Sequence, residues 1–114
     1  MPEADPAEAQ KLIESGAQLI DVRSEEEFEA GHIPGSRLVP LDTVHSDGAG
    51  LEKGEPLVIY CRSGDRSGMA ADAFAASGWD AHSIAGGLLA WKEAGLELEP
   101  ETGDVAERSG LPPR

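Results

Sequence analysis

The chain has 114 residues, 39% of them hydrophobic, enough for one domain with a modest core and too few for two. It carries 22 acidic and 9 basic residues, a net charge of -13, so its surface is soluble and repels nucleic acid and anionic membranes. No apolar run approaches the roughly 18–20 residues of a membrane span, the acidic start "MPEADPAEAQK" lacks the apolar stretch of a signal peptide, and a single cysteine excludes an internal disulfide or a cysteine-based zinc site. A cytoplasmic protein with no membrane and no nucleic-acid partner is the expectation.

A first helix begins after Asp5, a capping side chain followed by Pro6 at the first helical position and by Glu8 three residues beyond the cap. Leu12 and Ile13 give it an apolar edge, and Gly16 suits its end. "QLIDV" (18–22) reads as a short buried strand. In "SEEEFEAG", Ser24 caps a short acidic helix, Glu27 is its box partner, Phe28 its expected anchor and Gly31 its terminator. Pro34-Gly35 makes "HIPGS" a turn, and "RLVPL" is a brief strand stopped near Pro40. Residues 42–56 open on a helical turn and continue as polar loop.

"LVIY" (57–60) is the strongest strand signal, four apolar residues buried on both faces. A loop over 61–66 follows, then an Ala-rich helix over 67–78 with Met69, Ala73, Phe74 and Ala76 available for packing and Gly78 at its end. "AHSI" (81–84) is another strand. Gly86 and Gly87 allow close backbone approach before a helix over 88–95 that carries Leu88, Leu89 and Trp91. From residue 100 an acidic, Pro-containing composition predicts a poorly packed tail, which leaves residues 1–99 as the domain. The order of helices and short continuous apolar strands predicts a single α/β domain, a mostly parallel four- to five-stranded sheet with helices on both faces.

Ligands of such sheets sit beyond the carboxyl ends of the strands, and the single cysteine, Cys61, stands at one of those ends. The loop that turns from strand into helix can aim backbone N–H groups at one point, with Gly64 tolerating the backbone angles this needs. A helix beginning near Ser67 adds its positive end, and Arg62 and Arg66 lie close in sequence. Such a cradle favours negative charge on the sulfur and an anionic substrate beside it. The alternative for a lone cysteine is a small apolar core residue; its position at the strand end favours reactivity.

The segments "LIDVRSEEEFEAGHIPGS", "VIYCRSGDRS" and "IAGGLLAW", in this order and spacing, resemble a single-domain rhodanese, a rhodanese-like sulfurtransferase, over roughly residues 5 to 96. The resemblance implies that Cys61 is the nucleophile and carries a persulfide during turnover. It also implies that Arg62, Ser63, Gly64, Asp65 and Arg66 line the pocket, with Ser67 closing the substrate-binding set. Dual-specificity phosphatases of the same fold use Cys-x5-Arg, a loop one residue longer that fits phosphate. Here Arg66 follows Cys61 by five positions and the sixth is Ser67, so the shorter loop suits a single sulfur atom. Family members begin with a short strand, for which "MPEA" is short and polar, so that strand is expected as a stub or not at all.

The expected activity is therefore thiosulfate sulfurtransfer. Thiosulfate or another sulfane-sulfur donor loads Cys61, and a thiol or sulfur-carrier protein, or cyanide in an assay, takes the sulfur. No metal or organic cofactor is implied, and a monomer is expected. The competing reading is a regulatory or persulfide-carrier module that uses the fold without turnover; the presence of Cys61 argues against an inactive regulatory module, and a persulfide carrier lies between the two. Asp21 and Arg23 read as an ion pair or as loop-tethering hydrogen bonds, in preference to Arg23 reaching toward the pocket, and His32 as support for its turn, in preference to a proton shuttle. His45 and His82 show no paired acid or metal spacing. Trp91 reads as core and Trp79 as partial cover of the surface.

Overall fold

The structure is a computed structural model that describes residues 3–40, 51–99 and 105. The elements are β1 (Glu3–Ala4), α1 (Pro6–Glu14), β2 (Gln18–Asp21), α2 (Glu25–Ala30), β3 (Arg37–Leu38), β4 (Leu57–Tyr60), α3 (Asp65–Ala76), β5 (Ala81–Ile84) and α4 (Gly87–Glu93). The five strands form one sheet in the order β1-β5-β4-β2-β3, and every pairing is parallel. The first strand is a two-residue stub, with Glu3 opposite Ser83 and Ala4 opposite Ile84. The expected helical turn after residue 42, and His45 with it, lie outside the described residues. So does the tail from residue 100, except Val105, which packs against the core.

Both predicted capping boxes form. Asp5 accepts from the Glu8 N–H at 2.8 Å, and Glu8 accepts from the Asp5 N–H at 3.0 Å. Ser24 and Glu27 repeat the exchange at the start of α2. The anchor of α2 is not the expected one: Phe28 is half-buried and stacks on His32, whereas Glu27 is buried. Helix α3 starts two residues earlier than its sequence suggests, because Asp65 and Arg66 already belong to its first turn.

Alternation along β4 divides the core. Leu57, Ile59 and Cys61 join a cluster with Ala70, Ala71 and Phe74 of α3. Val58 and Tyr60 join a second cluster on the opposite face, with Ala9 of α1 and Leu88 and Trp91 of α4. Burial of all four β4 residues follows from this two-sided cover. Cys61 continues the alternation by one residue, so its side chain leaves the end of the sheet on the α3 side. Among the described residues no helix is long and apolar enough to cross a membrane.

Candidate active site

Cys61 lies between the end of β4 and the start of α3 and is fully buried. Gly64 occupies the N-cap position of α3 with φ 105°, a conformation that a side chain would strain. A glycine there leaves the helix without a side-chain cap. The sulfur supplies the missing acceptor: Sγ lies 3.0 Å from the Gly64 N–H and 3.4 Å from the Ser67 N–H, the third residue of the helix. It thus takes the place that the oxygen of a capping Ser or Asp holds elsewhere. The Ser67 hydroxyl, also 3.4 Å away, is a third donor. On the other side the thiol can donate to Asp65 Oδ1 at 3.7 Å, and Ser63 Oγ donates to the same oxygen at 3.1 Å. Three donors thus meet on one sulfur, at the positive end of a twelve-residue helix.

The second glycine turn holds the loop from the other side. Leu88 N–H donates to the Cys61 carbonyl at 2.8 Å and Leu89 N–H to the Arg62 carbonyl at 3.1 Å. A Cβ on Gly87 would stand 2.6 Å from both carbonyl oxygens, so only glycine permits this approach. The start of α4 is thereby clamped onto the backbone that carries Cys61.

The loop residues do not all gather on the sulfur. Gly64, Asp65 and Ser67 meet it, and Ser63 reaches it through Asp65. Arg62 is partly buried, and its carbonyl joins the clamp from α4. Arg66 makes a bidentate pair with Glu27, each terminal nitrogen 3.0 Å from a carboxylate oxygen. Burial alone would lower the Arg66 guanidinium, but the hydrogen bonds and charge of Glu27 outweigh it and hold it above its ordinary value. The pair is buried and ties α2 to the first turn of α3. Glu27 was legible as a capping partner but not as the counter-ion of Arg66, since nothing distinguishes it locally from Glu25, Glu26 and Glu29.

Asp21 and Arg23 form the expected ion pair, with contacts of 2.6 to 3.0 Å, and Arg23 also donates to the Gly31 carbonyl at 2.8 Å. His32 supports its turn: Nδ1 lies 2.8 Å from the Phe28 carbonyl, and its backbone bridges Glu99. His82 differs from expectation, because Asp80, two residues earlier at the mouth of β5, lies 2.8 Å from Nε2. This exposed pair is remote in sequence from the cysteine loop. Trp79 packs edge-on against Phe74 at 4.8 Å, and Trp91 is core, its indole donating to the Glu97 carbonyl at 2.7 Å. Among the described residues no cluster of His, Cys, Asp or Glu could hold a metal ion. Ser83, which sequence reasoning passed over, lies 2.7 Å from Ser67. The available signal was a polar residue in phase with buried Ala81, on a strand that ends beside the loop.

A buried cysteine at the carboxyl end of a central parallel strand, capping the helix that follows, defines an α/β protein built around a cysteine loop. The chain belongs to the rhodanese-like domain family, which matches residues 5–94. It is 38% identical over 88 residues to thiosulfate sulfurtransferase GlpE of Pseudomonas aeruginosa strain LESB58, covering 76% of this chain and 80% of that one. A rhodanese-like domain protein from Staphylococcus aureus is 28% identical with a TM-score of 0.73, over 94% of this chain and 100% of that one. A rhodanese-related protein from Thermoplasma volcanium has a TM-score of 0.79 over 86% of this chain and 97% of that one; at 23% identity the likeness is one of fold.

Proposed function

We propose that the chain is a thiosulfate sulfurtransferase working through a Cys61 persulfide. The observation that carries the reading is the convergence of the Gly64 and Ser67 N–H groups and the Ser67 hydroxyl on Cys61 Sγ. The Cys61 thiolate attacks the outer sulfur of thiosulfate. A new S–S bond forms, the bond to the sulfonate sulfur breaks, and sulfite leaves with the bonding pair. A thiophile then attacks the outer sulfur of the persulfide and restores the thiolate. Cyanide would leave as thiocyanate; a thiol or a sulfur-carrier protein would leave as its persulfide.

The burial of Cys61 fits the transfer of one atom, since only the terminal sulfur of the donor has to reach Sγ. Both terminal nitrogens of Arg66 are engaged by Glu27, so capture of the donor falls chiefly to the loop N–H groups, with Arg62 partly buried beside them and Ser63 and Asp65 at the exposed rim. The protein acts as a monomer in the cytoplasm without a cofactor. Steady-state assay with thiosulfate and cyanide tests the reading: wild type forms thiocyanate, and Cys61→Ser loses activity by at least about 10³-fold, as expected when a covalent nucleophile is removed. A Cys61→Ser variant that turned over at the wild-type rate would end the proposal.

A further inference from the structure

We propose that Ser83 is a positioning residue for Cys61, acting through Ser67. The two serine hydroxyls are fully buried and 2.7 Å apart, and Ser67 Oγ lies 3.4 Å from Cys61 Sγ. Among the described residues the Ser83 hydroxyl meets no other hydrogen-bond partner. Its proton therefore goes to Ser67 Oγ, because a buried O–H with nothing to donate to costs about 1–3 kcal/mol. With its oxygen accepting from Ser83, Ser67 keeps its own proton for one of two acceptors, Cys61 Sγ or the Gly64 carbonyl, each 3.4 Å away. An ionised sulfur is the stronger of the two, since charge-assisted hydrogen bonds are about twice as strong as neutral ones.

The resulting chain runs Ser83 to Ser67 to Cys61, and each bond polarises the next. It also fixes the Ser67 rotamer against the sheet. Ser83 is on β5, where it faces Ile59 of β4 in the ladder, two residues before the nucleophile. A hydroxyl on α3 is thus held in line with the sulfur by a buried residue of the sheet.

The inference rests on the reading of Cys61 as a thiolate nucleophile, but its test needs no sulfur transfer. Iodoacetamide alkylates the single thiol of the chain, and its rate at pH 7 is measured for wild type, Ser67→Ala, Ser83→Ala and the double variant. Circular dichroism checks that each is folded. Ser67→Ala should slow alkylation about tenfold and Ser83→Ala about three- to fivefold, the scale of a modest charge-assisted hydrogen bond and of its support. The double variant should match Ser67→Ala alone, because Ser83 has no route to the sulfur without Ser67. A purely structural role for Ser83 would multiply the two effects. Wild-type alkylation in Ser83→Ala, or effects that multiply in the double variant, would overturn the proposal. The coupled pattern among the variants, together with a wild-type protein that transfers no sulfur, would defeat the sulfurtransferase reading and leave the relay in place.

Discussion

Adjacent residues at the end of β4, Tyr60 and Cys61, serve opposite faces of the sheet. Cys61 points to the α3 face and caps that helix with its sulfur. Tyr60 points to the other face, where its hydroxyl accepts from the Ile33 N–H at 3.0 Å and is hydrogen-bonded to Ser36 Oγ at 2.9 Å. Burial, reinforced by the charge of Asp21, pushes the Tyr60 phenol well above its ordinary value, against the opposing effects of Ser36, the Ile33 N–H and Arg23. A folded-state value raised above the unfolded one favours the protonated phenol in the fold. That contribution is complete below about pH 10, where free tyrosine ionises, and is lost as the pH rises beyond it. Tyr60 is the single tyrosine of the chain, so phenolate absorbance reports on it alone. The absorbance should rise only as the protein unfolds at alkaline pH. A rise near pH 10 in protein that remains folded by circular dichroism would contradict this.

At the scale of elements, the helix starts divide into two kinds. Asp5 and Ser24 carry caps that any reading of the sequence finds, and α1 and α2 begin where these caps put them. Gly64 and Gly86 carry no side chain, so α3 and α4 begin where the local alphabet of caps is silent. For α3 the acceptor is a cysteine sulfur three residues upstream of Gly64, so the helix starts two residues before the point its sequence suggests. The link between α2 and α3 is the Glu27–Arg66 pair, two residues 39 apart in sequence. Removing one member of a buried pair leaves an uncompensated charge, typically at a cost of about 3–5 kcal/mol. Glu27→Ala should lower the free energy of unfolding in urea by about that amount, since Arg66 is then buried alone. A loss below about 1 kcal/mol would mean that the pair holds nothing together.

Over the whole molecule, the parallel sheet and its two-sided cover were legible because β2, β4 and β5 are short continuous apolar runs separated by helical segments. The place of Cys61 at a strand end was legible for the same reason. What was not legible is how side chains pair across the fold: Arg66 with Glu27 and Ser67 with Ser83. Such pairings depend on the register of packed elements, which periodicity along one segment does not specify. They matter here because they divide the loop. Its charged side chain at Arg66 is anchored in the scaffold, while its backbone and Ser67 serve the sulfur. We propose that this cradle holds sulfur on Cys61. Intact-mass measurement after incubation with thiosulfate tests it most directly, because the chain has one cysteine. Wild type should gain one sulfur atom that a thiol reductant removes and that Cys61→Ser does not show. An unchanged mass in wild type, or the same gain in Cys61→Ser, would contradict it.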